Sequence, residues 1–448
     1  MPDDSKAIQA WIFTTMRAFK PIKEMKSKIR VLLCCMSILT VTDADYVLAS
    51  ELQIDHVDNL QTAPSMSLRD VVEATFENHP QGSVITALHD EAAALHQRSD
   101  SLIAGYPMIY LQYIDGKPFN PSSSVYATYA QTAYQIPIWM WGQRDASQAM
   151  ADTADKGALL FAGAIRHEMA GLVRTALWNL RLVENRRMLA DEVYTVSEQL
   201  FTSVKRRVEL GDLALSDQLL AESDLLEKQS LLTQAEAAVM DTRRSYINLT
   251  RLEKMPANFT EILSNRKEIV DIHPAVAAAN AMIEKEQAHV DYQRTSKQGN
   301  QPTIALGTQE EKLAQLSGGW FHEMNVIVQI PIGGDDYNAP FVAQANLLLN
   351  QKLAERNQLL RQLEKALHEA EHTLAVDRKT LAIAEQRKQL AEKQIGMGRL
   401  AFENGEIQLI DYLKILTIAQ AAIRDAHEKA ILVERDIAFY NQVVGVTP

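Results

Sequence analysis

Two patterns in the sequence combine residue types and spacing that could do chemistry. His368-Glu369-Ala370-Glu371-His372 fits H-E-x-x-H, which on a helix sets two imidazoles one turn apart as zinc ligands, beside a carboxylate base. A working zinc site also needs a third ligand brought back by a turn. The next acidic residues, Asp377, Glu385 and Glu392, continue along what reads as one unbroken helix, and at 1.5 Å per residue Glu392 lies about 30 Å further on. A chance match on a charged helix face accounts for the motif better than a metal centre does. The second pattern is Cys34-Cys35, inside an apolar run over residues 31–41. That run follows Lys20, Lys23, Lys26, Lys28 and Arg30 and precedes small residues, the layout of a secretory signal peptide and too short to span a bilayer. Cleavage near Val47-Leu48-Ala49 or Thr42-Asp43-Ala44 leaves no cysteine, and so no disulfide, cysteine-held metal or lipid-anchoring thiol. Met25 is a more usual start for such a segment than Met1. With no G-x-S-x-G, Walker A or Rossmann fingerprint in the chain, no catalysis, cofactor or resident metal is expected.

The elements that would position any site are mostly long helices. Only 6% of the 448 residues are aromatic, 47% are hydrophobic, and Gly (18) and Pro (14) are few, a composition suited to extended helices rather than an α/β enzyme. The formal charge of −12 makes the chain a poor nucleic-acid binder. No later stretch reaches the 18 apolar residues of a membrane helix, so any membrane span must be made of strands.

The chain repeats itself at a fixed offset. His79-Pro80 recurs as His273-Pro274, and Gln135-Ile136-Pro137-Ile138 as Gln329-Ile330-Pro331-Ile332. Leu210-Gly211-Asp212-Leu213 corresponds to Asn404-Gly405-Glu406-Ile407, Asp217-Gln218-Leu219 to Asp411-Tyr412-Leu413, and Val239 and Tyr246 to Val433 and Tyr440. All these landmarks are about 194 residues apart, a tandem duplication. The predicted organisation is an N-terminal extension with signal peptide (1–49), repeat 1 (50–255) and repeat 2 (256–448).

Within each copy the same elements follow in order. A helix over about 68–104 leads to Tyr106-Pro107 and a strand whose Ile109, Leu111 and Tyr113 alternate onto one face. A polar loop over 115–124 and a strand over 125–139 follow, with Ala130, Thr132, Tyr134 and Ile136 opposite Tyr129, Gln131, Ala133 and Gln135. The second copy repeats this with Ile304 and Leu306, then Met324, Val326, Val328, Ile330 and Ile332. Alternation with aromatic ends fits a membrane hairpin facing lipid; a soluble hairpin with one buried face reads the same locally. A helix from Arg144 to about Leu210 then turns at Gly211 and returns to about Leu252. Leu225, Leu232, Val239 and Tyr246, like Ala419, Ala426, Val433 and Tyr440, fall at sevens, the spacing of a coiled-coil seam. Four strands cannot close, and an open edge in lipid leaves backbone groups unpaired at several kcal/mol each. Three copies would supply twelve strands, an even number within the known range.

The two His-Pro elements, the Tyr106-Pro107 and Gln301-Pro302 strand starts and the Gly-turn segments 211–217 and 405–411 make the chain resemble the TolC-type outer-membrane efflux proteins from Ser67 to Val446. The Ile-Pro-Ile element and the Arg-rich start of the long helix look like the branch serving metal-cation exporters. The resemblance implies a mainly α fold with a transmembrane β-barrel portion: a homotrimer with a twelve-strand barrel in outer-membrane lipid and a periplasmic α-barrel. It implies a passive efflux conduit for cations or small molecules, joined through a periplasmic adaptor to an inner-membrane pump of the RND type. The adaptor-contact tips would be Leu210, Gly211, Asp212, Leu213 and Asn404, Gly405, Glu406, Ile407, and the periplasmic constriction Asp217 and Asp411. Asn404 and Glu406 depart from the family's Val/Leu-Gly pattern, and Lys414 stands where a second family aspartate would fall. The rival reading, a periplasmic coiled-coil adaptor or scaffold, shares the signal peptide and helical hairpins but has no need of two strand pairs.

Overall fold

The structure, a computed structural model, describes residues 59–116, 127–296, 300–313 and 319–448. The basic and apolar segment over 1–49, with both cysteines, lies outside the described residues, as do most of the loop 115–124 and the strand start at Val125. The described residues all belong to one compact unit, Val57–Pro448.

Two helical hairpins dominate. Helix α3 (Gln143–Glu209, 67 residues) turns into α4 (Leu215–Thr250), and α6 (Asp335–Glu403, 69 residues) turns into α7 (Leu409–Val443). At 1.5 Å per residue the longer arms extend about 100 Å. Single helices of that length in water depend on packing, and the sevenfold seam supplies it. Ala419, Ala426, Val433 and Tyr440 are all buried; in the first copy Val239 and Tyr246 are buried and Leu225 and Leu232 half-buried. No helix among the described residues is long and apolar enough to cross a membrane.

The expected single helix over 68–104 is two, α1 (Leu68–Glu77) and α2 (Gly82–Asp100). Pro80 has no N–H to continue the ladder and disfavours helical geometry at His79. Ser67 caps α1: its hydroxyl accepts from the Asp70 N–H while its own N–H donates to Asp70 Oδ2 at 2.8 Å. In the second copy Pro274 instead opens helix α5 (Pro274–Ser296), where a missing donor costs nothing. The second copy has no helix equivalent to α1, since residues 262–271 are irregular; from there on the elements correspond, and equivalent residues touch. Lys285 Nζ donates to Glu91 Oε2 at 2.7 Å and Arg98 to the Tyr292 hydroxyl, both pairs separated by 194 positions. Like positions therefore stand side by side at one level.

About halfway along α3 lies the main core. Val71, Val72, Met169, Val173, Leu177, Trp178 and Tyr246 cluster there with Phe259, whose ring meets Trp178 edge-on at 4.9 Å. Two short strands, β1 (Gln61–Ala63) and β4 (Lys254–Pro256), pair in parallel beside it. The position 255/256 between the sequence copies thus falls inside β4, which is held by the first copy.

Candidate functional site

The two hairpins of strands form one sheet. β2 (Met108–Gly116) pairs with β3 (Ala127–Pro137), β3 with β5 (Thr303–Leu313), and β5 with β6 (Trp320–Gln329), all antiparallel. The β3–β5 ladder joins the two copies. The predicted strand ends at 139 and 332 overshoot: β3 stops at Pro137 and β6 just short of Pro331, because proline cannot donate to a ladder. β2 and β6 each keep one unpaired edge within the chain.

The register sorts the side chains into two faces. One carries the cross-strand rows Ile109, Tyr134, Leu306, Val326 and Leu111, Thr132, Thr308, Met324. The other carries Tyr110, Ala133, Gly307, Asn325 and Gln112, Gln131, Gln309, Glu323. Leu111 is 72% and Met324 91% exposed, whereas Ala133 and Ala305 on the second face are 1% exposed. In a sheet one layer thick, that contrast arises because the sheet curls towards its second face. Gly307 marks the curl: a Cβ there would lie 2.5 Å from the Thr132 carbonyl oxygen and 2.8 Å from Asn325 Oδ1. The convex face is the more apolar, its charged residues Asp115, Glu310 and Lys312 falling at the end away from the helices, a division like that of a barrel wall with lipid outside and water inside. Tyr106, Trp141 and Tyr337 stand exposed at the junction with the helices, and Tyr113 and Trp320 towards the other end, the two levels at which amphipathic rings meet a membrane–water boundary.

At the far end of the helices, each hairpin turns on a left-handed glycine, Gly211 (φ 84°) and Gly405 (φ 75°). The Asp212 N–H donates to the Arg207 carbonyl at 2.9 Å and the Gly211 N–H to that of Val208 at 3.0 Å; Glu406 to Ala401 (2.8 Å) and Gly405 to Phe402 (3.1 Å) repeat the pattern. These bonds occupy the last helical carbonyls, and the positive φ they require suits glycine. Leu210, Asp212, Asn404 and Glu406 are exposed, while Leu213 and Ile407 fold back onto a core of Val204, Ala221, Phe402, Leu409, Tyr412 and Leu416 that unites both tips. Asp217 and Asp411 fall in the first turns of α4 and α7. Asp217 Oδ2 accepts from the Ala214 N–H at 3.3 Å, and Lys414 Nζ lies 3.3 Å from Asp411 Oδ1. Both carboxylates meet the positive end of a helix, and Asp411 has its charge partly answered by the lysine.

His368 and His372 are exposed on α6, and Lys365 reaches Glu369 at 3.6 Å. Among the described residues no three His, Cys, Asp or Glu side chains gather as a metal would require. The equivalent positions in the first copy, Arg174 and Trp178, are buried in the main core. Arg174 grips Glu261 with two bonds, Nε to Oε1 at 2.7 Å and Nη2 to Oε2 at 2.8 Å, and also donates to the Gln442 side chain and the Val446 carbonyl. His167 beside it donates from Nε2 to the Gln442 carbonyl at 2.9 Å and accepts at Nδ1 from Thr447 at 3.2 Å. Burial, then the neighbouring His273 ring, push its pKa down to about 4. This cluster ties α3 to the chain between the copies and to the C-terminal end. Sequence reading passed over it; the one signal was that the His-Pro landmark at 273 belongs to it.

Solved structures with this architecture are known. The outer membrane protein VceC from Vibrio cholerae matches 85% of this chain and 97% of its own, at 13% identity and a TM-score of 0.65. The CmeC outer membrane channel of Campylobacter jejuni matches 92% and 94%, at 15% identity and 0.63. The fold is that of the TolC-type outer-membrane channels. The open state of the Neisseria gonorrhoeae MtrE outer membrane channel shares this fold too, at 13% identity over 92% of this chain and 99% of its own, with a TM-score of 0.58. No protein-family profile matches the sequence, and no curated protein matches it significantly. The TolC-type fold is thus carried here by a sequence far from those of these three solved channels.

Proposed function

We propose that the chain is one third of an outer-membrane efflux conduit in a Gram-negative bacterium, reaching from the outer-membrane lipid into the periplasm. The observation that carries this reading is the curled four-stranded sheet, apolar on its convex face, open at β2 and β6, and continued by helical hairpins. An unpaired edge in lipid is costly, and two further copies remove it by giving twelve strands, β6 of each beside β2 of the next. The solved channels of like fold support the same reading. Each repeat, 50–255 and 256–448, supplies one strand hairpin and one helical hairpin, so three chains make a quasi-sixfold helical wall.

The conduit is passive and catalyses no reaction; a partner pump, of the RND type, drives export through a periplasmic adaptor seated on Leu210–Leu213 and Asn404–Ile407. Exposure of Leu210 and Asn404 beside rigid glycine turns suits them to that contact. Asp217 and Asp411 form the periplasmic constriction, where three copies of each carboxylate hold cations and repel one another. The cargo is a cation or a small molecule. The test is extraction from isolated outer membranes: a heat-modifiable trimer that conducts in a planar bilayer is expected. A soluble periplasmic monomer would overturn the proposal in favour of a coiled-coil adaptor.

A further inference from the structure

We infer that the strand section of the conduit prefers cations, through Glu311 and Glu323, an inference that rests on the channel reading above. Strand β5 runs Gln309-Glu310-Glu311-Lys312, so alternation sends Glu310 and Lys312 to the convex face and Glu311 to the concave one. The convex charges have polar or aromatic neighbours on their own face: Glu310 Oε1 lies 3.3 Å from His322 Nδ1, and Lys312 Nζ lies 5.7 Å from the Trp320 ring. On the concave face, Glu311 stands between Tyr129 and Phe321, and Glu323 next to Gln309, and neither has an ionic partner among the described residues. Within the four strands, Glu311 and Glu323 are the only charged residues of the concave face.

Three copies place six carboxylates on the inner wall, and within the four described strands no ammonium or guanidinium on that face offsets them. The same level carries Gln112, Gln131 and Gln309, whose neutral amides leave the sign of the field to the glutamates. Twelve strands at about 4.8 Å spacing and about 40° tilt enclose a wall about 12 Å from the axis. Glutamate side chains reach inward to within about 7 Å of it, close to the Debye length of about 8 Å at 0.15 M. Ions on the axis therefore feel the wall, and its low dielectric focuses the field. The tip aspartates lie at the other end of helices about 100 Å long, too far through salt water to act on the same ions at the same time.

The inference is tested by reversal potentials of the full-length trimer in planar bilayers under a KCl gradient. Glu311→Gln with Glu323→Gln is expected to lower the cation-to-anion permeability ratio about threefold in ~0.1 M salt, with a smaller change at ~1 M. Glu310→Gln removes the same charge one residue away, on the lipid side, and leaves the ratio unchanged. Glu323→Gln alone, on the edge strand, carries about half the change and serves where the double variant does not assemble. A wild-type ratio in the glutamine variants, or an equal drop in Glu310→Gln, overturns the inference. Wild-type trimers that conduct nothing overturn the channel reading instead.

Discussion

Arg207 of the first helical hairpin lies over the ring of Phe402 of the second, its guanidinium carbon 5.2 Å from the ring centroid and its Nη1 3.4 Å from the Phe402 carbonyl oxygen. Phe402 in turn stacks on Tyr412, with centroids 5.3 Å apart and planes 7° from parallel. One aromatic residue thus latches the two helical tips together at the end of the molecule far from the sheet.

The latch should be separable into a weak part and a strong part. Arg207→Ala removes a cation–π contact of about 0.5–1 kcal/mol and is expected to speed hydrogen exchange modestly in the last turns of α3 and α6. Phe402→Ala hollows the buried tip core, at about 3–5 kcal/mol, and should free both tips and lengthen channel openings. Equal protection in Phe402→Ala and the parent protein would dismiss the latch.

Arg174 holds the middle of the molecule. Its guanidinium is fully buried against Glu261, whose side chain is 14% exposed, so Arg174→Ala leaves a half-buried carboxylate with only the Asn441 amide and is expected to cost about 3 kcal/mol. Thermal dissociation of the purified trimer measures this. Pairing Arg174→Met with Glu261→Leu should recover most of the loss, since no charge is then left unpaired.

Acid should weaken the same region through His167. Its pKa of about 4 lies below the ordinary 6.5, so above pH 6.5 both folded and unfolded chains hold it neutral and its contribution is flat. As pH falls from 6.5 towards 4, the unfolded chain binds a proton that the folded chain refuses. Stability drops by up to about 3 kcal/mol across that window. His167→Gln should flatten the slope of melting temperature against pH there; an unchanged slope would assign the acid sensitivity elsewhere.

At the constriction proposed above, Lys414 answers part of the charge of Asp411. Asp411→Ala is expected to change single-channel conductance or cation block. Lys414→Leu, which installs the residue found at the equivalent position 220, should deepen cation block by releasing the carboxylate. Traces unchanged in both variants would remove Asp411 from the gate.

How much of this was legible beforehand depended on the range of the signal. Helix, strand and turn identities were written in short periods: sevens along α4 and α7, twos along β2 and β6, and glycine where a helix must stop. These patterns act within a few residues, and the offset of 194 multiplies them by showing each twice. The break at Pro80 was misjudged because apolar periodicity continues across it, although the backbone cannot. The H-E-x-x-H motif shows the opposite limit. Its spacing suits zinc, yet His368 and His372 face solvent, while Arg174 at the equivalent position of the first copy anchors the core.

The sequence by itself determined that the chain is a duplicated, helix-rich, strand-bearing protein with glycine tips, because local backbone sterics and side-chain periodicity fix those features without knowledge of neighbours. Only the tertiary structure decided that β3 pairs with β5 across the duplication, that Gln131 and Glu323 share the concave face, and that Arg174 meets Glu261. Each of these brings together residues far apart in the chain, and their closeness depends on how the sheet curls and the hairpins pack, which no short period records.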